Sequence, residues 1–105
     1  MNVLIPNAFV TTFALFLCAA AAYAQPVVGA APAGPANEVA ARIINANHPG
    51  CDGVTGAMRL PDGSIRAYCN DEPYLVFTIF DPTTGETLEV AMNCAKAKKL
   101  LNISC

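Results

Sequence analysis

Four cysteines after residue 50 of this 105-residue chain, Cys51, Cys69, Cys94 and Cys105, set the terms on which it can fold. They follow one another at intervals of 18, 25 and 11 residues. A four-thiolate zinc centre brings its ligands in close pairs such as C-x2-C, so this spacing points instead to disulfides. Paired cysteines of this kind belong to compartments outside the reducing cytosol. They also answer a physical need. A domain of the size that remains after an export signal buries barely enough apolar surface to offset the entropy of ordering its backbone. Each crosslink over a loop of this length adds ~3 kcal/mol on a chain-entropy treatment.

The N-terminal residues fit that compartment. Between Ala8 and Ala24 the only polar side chains are Thr11 and Thr12, and no charge precedes Glu38. The apolar core ends in Ala22-Tyr23-Ala24, small residues at both positions that signal peptidase reads, followed by Gln25-Pro26. Residues 1–24 therefore read as a cleavable signal peptide. The apolar run is shorter than the roughly 20 residues a membrane span needs. An uncleaved anchor is the competing reading, because no Lys or Arg precedes the apolar core. A lipid anchor at Cys18 would want a small residue where Leu17 stands. The expected location is periplasmic or secreted. The formal charge of −2 carries no basic run beyond Lys96, Lys98 and Lys99, which argues against nucleic acid and against a membrane partner after cleavage.

Gln25–Pro35, rich in Pro, Gly and Ala and without charge, reads as a flexible leader to a single domain over residues 36–105. Ala36–Asn47 reads as a helix: Asn37 can cap it, Glu38 suits its first turn, and Ala36, Val39, Ala40, Ile43 and Ala46 share a face. His48-Pro49-Gly50 ends it. The period then changes to two. Val54–Leu60 and Ser64–Cys69 flank the turn Pro61-Asp62-Gly63, Tyr74–Phe80 follows, and Thr87–Met92 comes after Asp81-Pro-Thr-Thr-Gly85. Cys94–Leu101 closes the chain as a short helix. The fold class expected is α+β: an N-terminal helix packed on a four-stranded antiparallel meander, a short C-terminal helix, and two disulfides.

Leu75, Phe77 and Ile79 alternate against Leu88, Val90 and Met92. Val54, Met58 and Leu60 do the same against Ile65, Ala67 and Cys69. These sets share one side of the sheet if Cys69 stands opposite Leu75, which requires a five-residue connection, Asn70–Tyr74. The first helix would then lay Val39, Ile43 and Ala46 on that side. Cys69 and Cys94 would lie about two strand spacings apart, roughly 9.6 Å, too far for a bridge. The favoured pairing is accordingly Cys51–Cys69 with Cys94–Cys105.

No residues stand out as catalytic, cofactor-binding or metal-binding, and no cofactor is expected. His48, the lone histidine, sits at a helix stop, where it suits the terminal carbonyls. The acidic residues fall mostly in turns, where carboxylates bond their own backbone. Asp81–Glu86 lacks the alternating oxygen ligands of a calcium loop. Asn102-Ile103-Ser104 matches the glycosylation sequon but lies close to the C-terminus. The candidate binding face is the far side of the expected sheet, carrying Arg59, Arg66, Tyr68, Tyr74 and Phe80 with Val76 and Thr78, since exposed aromatics with arginines are enriched at hot spots.

The run C-D-G-V-T-G-A-M-R-L-P-D-G-S-I-R-A-Y-C from Cys51 to Cys69, with Tyr74-Leu-Val-Phe77 and the ending Ala91-Met-Asn-Cys94…Leu100-Leu-Asn-Ile-Ser-Cys105, resembles small exported proteins of Gram-negative bacteria of unassigned function. A helix leading into an antiparallel sheet, with Phe80-Asp-Pro-Thr-Thr-Gly-Glu-Thr-Leu-Glu-Val90, is also similar in layout to PepSY domains. That resemblance implies an extracytoplasmic module linked to peptidase inhibition. The expected function is a non-catalytic module holding a protein or peptide, through the Arg/Tyr/Phe face or through the exposed edge strands. A small hydrolase using His48 and a passive envelope component are the alternatives.

Overall fold

The computed structural model describes residues 25–105, and the expected signal peptide lies outside them. The chain runs β1 (Val27–Gly29), α1 (Ala36–Asn47), β2 (Val54–Arg59), β3 (Ile65–Cys69), β4 (Glu72–Asp81), β5 (Glu86–Asn93) and α2 (Cys94–Leu101). This is an α+β fold with one more strand than expected. β2 to β5 form the meander, and every pairing in the sheet is antiparallel.

The added strand comes from the leader. β4 is long enough to take two neighbours along one edge: β3 pairs with Glu72–Val76, and β1 pairs with Thr78–Phe80. Gln25–Pro35 is thus not a flexible leader throughout. Val27 and Val28 are β-branched and sit opposite Phe80 and Ile79, and Thr78 Oγ1 donates to the Ala30 carbonyl at 2.8 Å. Beyond the strand, Ala31 N–H reaches the Gly63 carbonyl at 3.0 Å. Gly63 is required there: its φ is +88°, and a Cβ would lie 2.6 Å from that of Ala30.

The register between β3 and β4 also differs from expectation. Cys69 faces Glu72, not Leu75, so the connection is the two residues Asn70 and Asp71. Both have positive φ, +51° and +66°, the conformation of a tight primed hairpin turn. Asn and Asp tolerate it because their short polar side chains bond locally. An even loop flips everything after it. Ile65, Ala67 and Cys69 therefore share a side with Tyr74 and Val76, while Leu75, Phe77 and Ile79 point to the opposite side with Arg66 and Tyr68. A bulge splits β2 as well: Gly56 and Ala57 together oppose Ala67, with Gly56 at φ +59°. Val54 falls on the first side, and Met58 and Leu60 on the second.

The result is a sheet buried on both faces. α1 covers one side with Val39, Ala40, Ile43 and Ile44 over Ile65, Ala67, Cys69, Val76 and Ala91. Ala46 stays exposed, and Asn37 lies within the helix, whose N-cap is Pro35. α2 covers the other side, where Ala97 packs with Leu75 and Phe77, flanked by Leu60, Val90, Met92 and Ile103. Asn93 caps α2 by accepting from Ala95 N–H at 2.9 Å. Asn102 ends it in the left-handed region, with its N–H on Lys98 and that of Ile103 on Ala97. The two bridges pair as favoured, Cys51–Cys69 and Cys94–Cys105, with Cα separations of 5.7 and 5.8 Å. The first ties the α1–β2 loop to β3, and the second folds the C-terminal tail back onto the start of α2.

Candidate functional site

The flipped register divides the expected binding face between the two sides of the sheet. Arg66 and Tyr68 lie on the α2 side. Tyr74, Val76, Thr78 and Phe80 lie on the α1 side, as does Arg59, which pairs with Ile65. These residues do not form one surface. Tyr68 covers the bulge, its ring 3.2 Å from where a Cβ of Gly56 would stand. The Arg66 guanidinium approaches Met58 Sδ, and its buried Nε has no acceptor among the described residues.

Arg59 serves the fold. Its two terminal nitrogens donate to the carbonyls of Ala31, Pro32, Gly34 and Gly63, at 2.8 to 3.3 Å. One guanidinium thus holds the leader against the β2–β3 hairpin. Arg59→Ala is expected to speed hydrogen exchange of the Ala31 amide several-fold while protection in β3 and α1 is kept. Unchanged exchange at Ala31 would remove the clamp.

His48 is also engaged. Its backbone N–H reaches the Ile44 carbonyl at 2.7 Å, and Nε2 lies 2.9 Å from the carbonyl oxygen of Ala91 on β5. A carbonyl can only accept, so Nε2 carries the proton in this contact. The ring packs against Tyr74 with centroids 4.8 Å apart. Beside it lies an open cleft of about 420 Å³, lined by Asn47, His48, Cys51, Cys69, Asn70 and Tyr74. Among the described residues its lining holds no serine or threonine, and both its cysteines are bridged to each other. Asp62 and Asp81 serve their own turns, accepting from Ser64 and from Thr83 N–H. The Ser64 hydroxyl and amide hold the Asp62 carboxyl below its ordinary range. Among the described residues no three His, Cys, Asp or Glu side chains are grouped to hold a metal ion.

A different feature emerges at the margin of the sheet. β5 pairs with β4 along its whole length and, among the described residues, has no strand on its other side. In an antiparallel ladder, alternate residues turn both backbone groups toward the neighbour or both away. Because the Ala91 carbonyl points outward to His48, the outward set is Thr87, Glu89 and Ala91, while Leu88 and Val90 bond to β4. The N–H and C=O of Thr87 and Glu89 therefore face away from the sheet. Natural edges are blunted by bulges, proline, lysine or inward charges. β2 has such a device in its bulge, whereas Glu86-Thr-Leu-Glu-Val90 has no bulge, proline or lysine, and of its two charges Glu89 is paired with Arg42.

The side chains along this edge are sorted by face. Leu88 stands 64% exposed on the α2 side, next to half-buried Val90. On the α1 side Glu89 takes both nitrogens of Arg42, at 2.7 and 3.2 Å. Those hydrogen bonds from Arg42 hold the Glu89 carboxyl below its ordinary range, so both groups stay ionised. Sequence reasoning counted Leu88 as core because its alternation matched that of Val90 and Met92. The signal available for the edge was that β5 is the last strand of a meander. The chain matches no protein-family model, and no curated protein or solved structure is significantly similar to it.

Proposed function

We propose that this chain is an exported, non-catalytic module that holds an extended protein or peptide segment by strand addition along β5. The observation that carries the reading is the outward row of backbone groups at Thr87 and Glu89 on a straight edge flanked by an exposed leucine. Strand addition draws affinity from main-chain hydrogen bonds and specificity from alternate side chains. A segment laid beside β5 would set apolar residues against Leu88 and Val90, and basic or polar ones on the side of Glu89. Two disulfides, together with the signal-like residues 1–24, support an oxidising compartment outside the cytosol. His48 supports the binding reading over hydrolysis, since its Nε2 is occupied by Ala91. The PepSY-like layout would make the module inhibitory where the captured segment belongs to a peptidase.

A capped peptide of alternating valine and lysine is the probe. Titrated into 15N-labelled protein, it is expected to move the amide signals of Thr87 and Glu89 most. Thr87→Pro removes an outward N–H without touching the bonds to β4, and should weaken binding about tenfold, the loss of ~1.4 kcal/mol. Shifts centred elsewhere, or affinity unchanged by Thr87→Pro, would overturn the proposal.

A further inference from the structure

The same edge has a partner that can be specified residue by residue, a second copy of itself. The inference rests on the reading of β5 as a strand-accepting edge. We infer that two copies pair β5 against β5 about a two-fold axis through Leu88, joining their sheets into one.

The register follows from the backbone. With Leu88 opposite Leu88 of the second copy, Thr87 of each copy faces Glu89 of the other. Thr87 and Glu89 are outward residues, so each such pair exchanges two N–H to C=O bonds, giving four in total. These four use every outward backbone group of Thr87 and Glu89 on both copies, and leave the Ala91 carbonyl with His48. Leu88 meets its counterpart in the non-hydrogen-bonded position, where Cα atoms approach to ~4.5 Å and side chains are in closest contact. A side chain that is 64% exposed in the single chain gains an apolar neighbour there.

Neighbouring registers are worse for stated reasons. Centring the axis on Glu89 sets two carboxylates directly opposite, which is destabilising. It also asks the Ala91 carbonyl, already held by His48, to bond to Thr87. Moving the axis toward Thr87 runs Glu89 into the turn at Gly85, where the strand has ended. With Leu88 at the centre, Glu89 faces Thr87 instead, and its charge stays balanced by Arg42. The axis is perpendicular to the sheet, so α1 of each copy lies on one face and α2 on the other.

Sedimentation velocity of the disulfide-intact protein over a wide concentration range tests this. The expected result is a reversible doubling of mass that is lost in Leu88→Lys, where two ammonium groups would face each other, and in Thr87→Pro. Leu88→Cys is expected to form a covalent dimer on mild oxidation, while Glu86→Cys, displaced from the axis, does not. Far-ultraviolet circular dichroism and intact mass confirm that each variant keeps its fold and two native bridges. A protein that stays monomeric, a dimer unaffected by Leu88→Lys, or no crosslink through Leu88→Cys overturns the inference. A monomer that still binds the valine–lysine peptide at Thr87 and Glu89 would reject self-pairing and leave the proposed function standing. A Leu88-linked dimer that takes up no peptide would do the reverse.

Discussion

Replacing Cys51 and Cys69 together by alanine is expected to lower the stability of the folded domain by at least 3 kcal/mol. The chain-entropy cost of opening a loop of 18 residues is about 3 kcal/mol, and for the 11-residue loop of Cys94–Cys105 it is nearly the same, roughly 2.8 kcal/mol. Loop length therefore does not separate the two bridges, and their surroundings must. Cys69 is 4% exposed and packs within the core beneath α1, whereas Cys105 is exposed at the end of the chain. Losing the first bridge also removes buried sulfur from between Ile44, Val54 and their neighbours. In a domain of this size each kcal/mol moves Tm by about 4–8 °C, so the drop should exceed 12 °C. The Cys94→Ala, Cys105→Ala variant should lose less. Thermal and urea unfolding of both variants measure the difference, and equal or reversed losses would refute the placement of the first bridge in the core.

The same contrast explains which parts of the fold could be read from residues alone. α1, the Pro61–Gly63 hairpin and the Leu88–Val90–Met92 alternation rest on spacing, composition and period, all local properties, and the cysteine pairing rests on the meander order that sets β4 between Cys69 and Cys94. The register of β3 against β4 rests on whether Asn70 and Asp71 adopt positive φ. That is a weaker signal than Asn-Gly, and an odd loop would have gathered all apolar alternation on one side. The contrary signal was present in Tyr74-Leu-Val-Phe77. Four successive apolar residues are what a strand buried on both faces requires. Gly56 within a strand likewise marked the bulge. β1 escaped notice because Val27 and Val28 are only two β-formers in a Pro- and Gly-rich stretch, and their partners are fixed by tertiary structure. The candidate face failed with the register, since Arg66 and Tyr68 moved away from Tyr74 and Phe80. The β5 edge was legible as the last strand of a meander, but the exposure of Leu88 on the α2 side was not, because its face follows from the β3–β4 register.

Phe77→Ala tests that two-sided arrangement most sharply. Phe77 is 1% exposed and is among the largest fully buried side chains, so truncation is expected to cost about 3–5 kcal/mol. Phe80 alternates on the opposite face, is 40% exposed, and should cost far less. The magnitudes alone do not say which helix Phe77 supports, but coupling does. Residues packed in one cluster show interaction energies of about 0.5–3 kcal/mol, while residues without shared partners add. Phe77 belongs with Ala97 and Ile103 beneath α2, and Ile43 belongs with Val76 beneath α1. Phe77→Ala with Ile103→Ala should therefore be strongly non-additive, and Phe77→Ala with Ile43→Ala nearly additive. To avoid total unfolding, Phe77→Leu and Ile103→Val can carry the same cycle at smaller cost. Coupling to Ile43 instead would mean that the second hairpin turns its apolar residues toward α1. Leu88 shares a face with Phe77 through the β4–β5 pairing, so such a flip would carry Leu88 to the α1 side of the sheet. The face presented by the open edge of β5 thus depends on the two residues Asn70 and Asp71, one strand upstream.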